Sequence, residues 1–245
     1  MPIQVSLLAE RDIPGAVAAI QEAFADDPYN NWIFDKAKFD PKRNAVSLGI
    51  RCRWGMRNGI FHVAKEEGSD EVLGVACWLR PQRADQPPTW YDIFESWRLS
   101  FNQLCMNIWY GRGGLNTKFS FLKRYWIWKA AQDKVQSTVW TDPRGYYFLN
   151  IMVVLPKAQS RGIGRLMMEA VTEPADSENM PCYLESSRKV PNIQIYERFG
   201  FKSAGELECD DDGTAIKLFA MTREPYAGPS SDESKTPPDG SPAID

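Results

Sequence analysis

The chain of 245 residues has one histidine, His62, and no Cys-x-x-C pair. Its five cysteines, Cys52, Cys77, Cys105, Cys182 and Cys209, are scattered and odd in number, so the spacing of a structural zinc site is missing. Cys77, Cys105 and Cys182 sit in apolar stretches, the setting of a small buried hydrophobe in a reducing compartment. No run of about 18 apolar residues occurs, which removes an ordinary membrane-spanning helix. The opening MPIQVSLLAERDIP turns charged before the apolar region of a signal peptide could form, so a soluble, cytoplasmic protein is expected. A basic excess is lacking too. Lys and Arg number 29 against 32 Asp and Glu, and the net charge of -3 offers no broad field for nucleic acid while suiting a cationic substrate.

What is present is the composition of an ordinary globular protein, 43% hydrophobic and 25% charged, enough to bury a full core. IQVSLL alternates like a strand. RDIPGAVAAIQEAFADDP then places Ile13, Val17, Ile20 and Phe24 on one helical face, with Pro28 helping to end the helix. A weaker helical stretch over about 41–57 precedes two predicted strands, IFHVAKE and EVLGVACWLR, separated by EGSD. Between residues 81 and 139 the chain changes character and carries five of the nine tryptophans. There Trp90, Phe94, Trp97, Phe101 and Leu104 predict one helix with an aromatic face, either packed on the rest of the domain or lining an acceptor pocket. A second helical piece, KFSFLKRYWIWKAAQDKV, follows the flexible GRGGLNT. After residue 145 the pattern reads strand (146–154), loop, helix (162–173), strand (181–186), helix (192–199), strand, strand, an α/β alternation. Residues 225–245, rich in Pro, Ser and acidic groups, predict a disordered tail after a single domain of 1–224.

The loop QSRGIG joins YYFLNIMVVLP to the amphipathic RLMMEAV. A dinucleotide fingerprint would need glycine at Met167, and a Walker A loop would need Lys-Ser or Lys-Thr at Arg165 and Leu166, so both are excluded. Glycines opening a helix after a strand still suit an anion. The first helical amides lack intrahelical acceptors, the dipole adds positive character, and Arg161 and Arg165 can add charge-assisted contacts. Alone, such a Gly-x-Gly fits a plain loop as well.

VVLPKAQSRGIGRLMMEAV resembles the acetyl-CoA-binding motif of the GCN5-related N-acetyltransferases, Gln/Arg-x-x-Gly-x-Gly/Ala, here Gln159, Gly162 and Gly164. CYLESSRKVPNIQIYERFGFKSAGE is similar to the next block of that family, and the two together cover about residues 146–207, with 81–139 as a helical, aromatic-rich insertion. The resemblance implies the family's α/β (α+β) fold, a mixed, mostly antiparallel sheet of six or seven strands flanked by helices and splayed in the middle. It implies acetyl-CoA as cofactor, held along the strand by Ile151, Met152, Val153 and Val154. Gln159, Ser160, Arg161, Gly162, Ile163, Gly164 and Arg165 would hold its diphosphate, and Asn192 and Tyr196 would lie near the thioester.

Acyl transfer to an amine needs a proton for the leaving sulfur and a base for the amine. Tyr196, four residues after Asn192 on a short helix, is the candidate acid, with core packing beside Phe199 as the other reading. YYFLNIMVV holds no carboxylate and no imidazole, so Glu185 on the following strand is the candidate base. Its alternative is a carboxylate bonded to backbone or to Arg188. Asn192 could equally be a helix cap, and His62 is read as structural. For the acceptor, Asp26, Asp27, Tyr29 and Trp32 in FADDPYNNWIFD mix negative charge with aromatic surface, or form an exposed loop tip. The expected partner is a small primary amine rather than a protein tail, without metal, nucleic acid or membrane, the chain acting as monomer or homodimer.

Overall fold

The computed structural model describes residues 1–34, 39–83, 85–110 and 120–226, with backbone alone for 120–122. The GRGGLNT loop and nearly all of the expected tail lie outside the described residues. In chain order the elements are β1 (Ile3–Leu7), α1 (Ile13–Ala23), α2 (Pro28–Ile33), α3 (Pro41–Asn58), β2 (Gly59–Glu66), β3 (Val72–Leu79), α4 (Trp90–Trp109) and α5 (Ser120–Val139). There follow β4 (Tyr147–Val154), α6 (Ile163–Ser177), β5 (Cys182–Ser186), α7 (Asn192–Glu197), β6 (Lys202–Asp211) and β7 (Thr214–Arg223). The strands form one seven-stranded sheet ordered β1-β2-β3-β4-β5-β7-β6. Among the described strands only β4 and β5 pair in parallel; the other neighbours are antiparallel. The expected mixed sheet with helices on both faces is what the chain forms.

β3 reads as a nearly continuous apolar run because both of its faces are covered. A Cβ at Gly74 would meet Met167 Cε at 2.8 Å and Ile163 Cγ2 at 2.9 Å, so glycine there lets α6 seat on one face. On the other, α3 comes in through Gly55, where a Cβ would lie 2.7 Å from the Phe61 ring and 3.4 Å from Cys77 Sγ. Alternation along β4 and β5 sorts the core in two. Tyr147, Leu149, Cys182 and Leu184 join the cluster with α6, while Phe148 and Tyr183 join Trp32, Leu207, Cys209 and the α5 residues Trp128, Ala131 and Val135.

Pro28 does not merely end α1. It occupies the first turn of α2, where its missing N–H is no loss, and Asp27 caps that helix by accepting from Asn30 N at 2.9 Å. The predicted loop tip is therefore a second short helix. Cys105 is also corrected: it is exposed on α4, whereas Cys52, Cys77, Cys182 and Cys209 are buried, and all five are free thiols.

The largest difference from expectation is α4. Its aromatic face neither packs on the domain nor lines a pocket: Trp90, Phe94, Trp97, Phe101 and Leu104 are all exposed. The helix docks on α3 through its polar side instead. Glu95, 2% exposed, accepts from Asn58 Nδ2 (3.1 Å), Arg57 Nε (3.2 Å) and Arg98 Nη2 (2.8 Å). Asn107 Oδ1 accepts from Arg43 Nη2 (2.5 Å), and Gln103 Oε1 from Ser47 Oγ (3.1 Å). A buried carboxylate must find donors, and α3 supplies them, which fixes the rotation of α4 and turns its apolar stripe outward.

The sheet end is tied to α6 by Arg223. Its guanidinium donates to both Asp176 oxygens at 2.7 Å and, through Nε, to Phe199 O at 2.9 Å. Arg223→Met should lower stability by about 3 kcal/mol, because it strands a half-buried carboxylate as well as removing the pair. Arg223 holds the Asp176 carboxyl below its ordinary range. The pair's contribution is therefore complete at neutral pH and lost as pH falls below about 4, so denaturant midpoints of wild type and variant should converge in acid.

Candidate active site

β4 and β5 run together only where Tyr147 to Leu149 face Cys182 to Leu184. β4 then continues to Val154 beside β3, while β5 continues to Ser186 beside β7. A β-bulge starts the divergence: Leu149 faces Trp78 and Ile151 faces Cys77, leaving Asn150 as the extra, exposed residue. The β5-side edge of residues 150–154 thus has no strand partner among the described residues. All four residues expected to line the cofactor arm, Ile151 to Val154, fall on it.

The loop after β4 forms the next wall. Gln159 Nε2 donates to Val154 O at 3.4 Å, and Ser160 (φ 62°) and Gly162 (φ 78°) adopt left-handed backbone that turns the chain sharply into α6. Leu166 N bonds to Gly162 O at 3.0 Å, but the amides of Ser160 to Arg165 have no backbone acceptor among the described residues. A Cβ at Gly162 would touch nothing within 4 Å, and one at Gly164 only Val154 Cγ2 at 4.0 Å. Open space therefore lies over a run of unsatisfied donors at the N-terminus of a 15-residue helix, the setting in which phosphate oxygens bind. Arg161 and Arg165 are already paired with Glu66 and Glu169. The backbone, more than the guanidinium groups, supplies the free donors.

Across the gap, buried Ser186 Oγ donates to Arg188 O at 2.8 Å and accepts from Asn192 Nδ2 at 3.1 Å. The side chain of Asn192 does not cap its helix; Pro191 stands at the cap position, and Asn192 Oδ1 has no partner among the described residues. Tyr196 lies one turn on. Its ring packs on the first cluster against Phe201, with centroids 6.1 Å apart, rather than lying free. Its hydroxyl has no hydrogen-bond partner among the described residues, and burial pushes the phenol up to about 12.

Glu185 faces the opposite way, into the second cluster. Its carboxylate accepts from Gln132 Nε2 at 3.0 Å on both oxygens, from Tyr183 OH at 2.8 Å and from Gln136 Nε2 at 3.4 Å. Burial raises its pKa above the ordinary carboxylate value, with these donors pulling the other way. Arg188 is not its partner but donates to Asp26 O at 2.6 Å. Gln132 and Gln136 carried no signal in the sequence. They lie on a helix some fifty residues from Glu185, and only the packing of α5 brings them there.

The four expected acceptor residues separate. Asp27 is committed to the α2 cap and to Ser187 Oγ. Trp32 is buried, its Nε1 donating to Thr214 O at 2.7 Å under the Arg124 guanidinium. Tyr29 packs on Trp128 at 5.5 Å within reach of Glu185's charge, and burial raises its phenol strongly. Asp26 is exposed beside Arg188. His62 sits on β2, two strands from β4, and burial lowers the pKa of its imidazole.

A mixed sheet whose two parallel central strands part beside a glycine-opened helix N-terminus defines the GNAT fold class. A family model described as "Acetyltransferase (GNAT) domain" matches residues 122–203, from α5 to the start of β6, which includes every residue placed around the gap. An uncharacterized N-acetyltransferase of Schizosaccharomyces pombe is 26% identical over 232 residues, 93% of this chain and 85% of its own. Among solved structures, that of histone acetyltransferase HPA2 and related acetyltransferase from Corynebacterium glutamicum gives a TM-score of 0.56 at 20% identity, over 94% of this chain and 99% of that one. Arylalkylamine N-acetyltransferase 2 from Aedes aegypti gives 0.61 at 14%, over 92% and 100%. The domain match over residues 122–203 and these likenesses along most of the chain are all to acetyltransferases, which supports a place in the GNAT superfamily.

Proposed function

We propose that the protein transfers the acetyl group of acetyl-CoA directly to the primary amine of a small molecule. The observation that carries this reading is the parting of β4 from β5 next to the unpaired amides of Ser160 to Arg165. An open strand edge offers peptide-like hydrogen bonds to an amide-bearing arm, and the helix N-terminus suits a diphosphate. In this reading Ile151 to Val154 hold the pantetheine arm, Gln159 to Arg165 the diphosphate, and Asn192 Oδ1 the region near the thioester.

Bound acetyl-CoA supplies an activated acyl carbonyl and a thiol leaving group. The chain's own groups then manage protons. Tyr196, kept protonated through the neutral range, holds at its hydroxyl the proton that the departing sulfur needs. Glu185, raised above the ordinary carboxylate value by burial and held in place by three donors, takes the amine proton at its carboxylate, directly or through one water. Direct transfer rather than a cysteine relay fits the thiols: burial pushes Cys52 and Cys209 to about 11 and Cys77 and Cys182 to about 12, leaving almost no thiolate. A small acceptor fits the enclosure of Glu185 by α5 and by Tyr29 of α2, where a carboxylate beside aromatic rings suits one ammonium head.

Isothermal titration with acetyl-CoA, followed by thiol release across a panel of amines and peptides, tests the proposal. Micromolar binding with release on small amines is expected. Release on peptide amino termini alone would make the protein a peptide acetyltransferase, and binding without any release an acyl-CoA-binding module. Gly162→Val should raise the acetyl-CoA dissociation constant about 10- to 100-fold, since its Cβ enters the open space over the amides. The left-handed φ adds about 1–2 kcal/mol of strain but no clash, so the variant should still fold. Unchanged affinity in a folded variant would remove the cradle.

A further inference from the structure

The outward face of α4 takes no part in the site and has no partner within the described chain, and we infer that it is the interface of a two-fold homodimer. Its stripe comprises Trp90 (87% exposed), Phe94 (53%), Trp97 (60%), Phe101 (48%), Leu104 (55%) and Ile108 (74%). With side chains of this kind presenting roughly 150–250 Å² each, these six expose on the order of 750 Å². The largest apolar patch on a monomer is roughly 300–600 Å², whereas one side of a stable interface needs about 800 Å².

Two features commit the occupant to a second copy. The stripe residues recur at spacings of 4, 3, 4, 3 and 4, a series that reads the same in both directions about position 99. Two antiparallel copies of α4 therefore set Trp97 against Phe101, Phe94 against Leu104 and Trp90 against Ile108, as an isologous contact requires. The stacked Trp97 and Phe101 rings, 5.3 Å apart, fall at the centre. The stripe also carries no charge. Asp92, Glu95 and Arg98 are the charged residues of α4: Asp92 closes its N-terminal cap with Thr89, Glu95 lies in the contact with α3, and Arg98 is neutralised by Glu95 with its guanidinium 5.9 Å from the Phe94 ring. A copy thus meets no like charge, and interface cores are depleted of charge and rich in aromatics. An anionic lipid surface would instead call for free cations along the stripe, yet Arg98, the one cation of α4, is paired with Glu95.

Sedimentation velocity on the full chain at micromolar concentration should show a dimer. The double change Trp97→Glu with Phe101→Glu should weaken association roughly 100-fold or more while leaving the circular dichroism spectrum and acetyl-CoA affinity unchanged, because both side chains already face solvent. A readout that does not depend on that variant is Ile93→Cys. Mirrored about position 99 it faces Cys105, the exposed native thiol, and a short bis-maleimide should link the two copies unless Cys105 is changed to Ser. A wild-type monomer, a dimer that survives both glutamates, or a monomer that binds phosphatidylcholine vesicles through the stripe would each overturn the inference.

Discussion

Tyr196→Phe should lower kcat by about 100-fold or more while leaving the acetyl-CoA dissociation constant and the melting temperature nearly unchanged. The ring contact with Phe201 survives the change, and the lost hydroxyl has no partner among the described residues, so none of them is left orphaned. The effect should fall on the chemical step. Because burial lifts the phenol to about 12, activity should not decline through pH 9 to 10 from loss of this proton. Stopped-flow or single-turnover release of thiol, beside cofactor titration, checks both points. An unaltered single-turnover rate would assign the proton to another donor.

Glu185→Gln should cost about 100- to 10,000-fold in kcat/KM, the range for removing a general base. Its stability should move the other way. Burial raises the carboxyl's folded pKa, so the native state binds the proton more tightly than the unfolded chain does. Stability is then highest below the ordinary carboxylate pKa and falls as pH rises toward the raised value. The glutamine variant should match wild type in acid and melt higher at pH 8. Removing one supporting donor, Gln132→Leu, should shift the acid limb of the kcat/KM profile to higher pH without abolishing activity, since Gln132 stabilises the charged carboxylate on both oxygens. Gln132→Asn should recover part of that shift. A profile that stays in place while kcat falls would leave Gln132 with packing alone. These changes leave Tyr196 intact, so acid and base are tested separately.

The geometry of the half proposed for the cofactor was legible in the sequence because it is local. QSRGIG between a strand and an amphipathic helix states its own geometry: a left-handed glycine, a helix start and a strand edge follow from neighbouring residues. The same holds for the strand and helix order, apart from Pro28, which opened a helix where it was expected to close one, and Pro174, which α6 runs through to Ser177. α6 continues because Ala175 is buried and Asp176 is held by Arg223, contacts far along the chain. The acceptor half was less legible. Trp32 reads as a surface aromatic in its own segment and becomes core only because Thr214 and Arg124 arrive over it.

The sequence by itself determined that the chain builds an α/β sheet around a glycine-opened helix start, because periodicity and glycine placement act over a few residues. The tertiary structure alone decided which side chains surround Glu185 and which face of α4 turns outward. Glu95 finds its donors Arg57 and Asn58 only with that side of α4 against α3, a pairing between distant segments that no local periodicity records, and the aromatic stripe is left pointing outward.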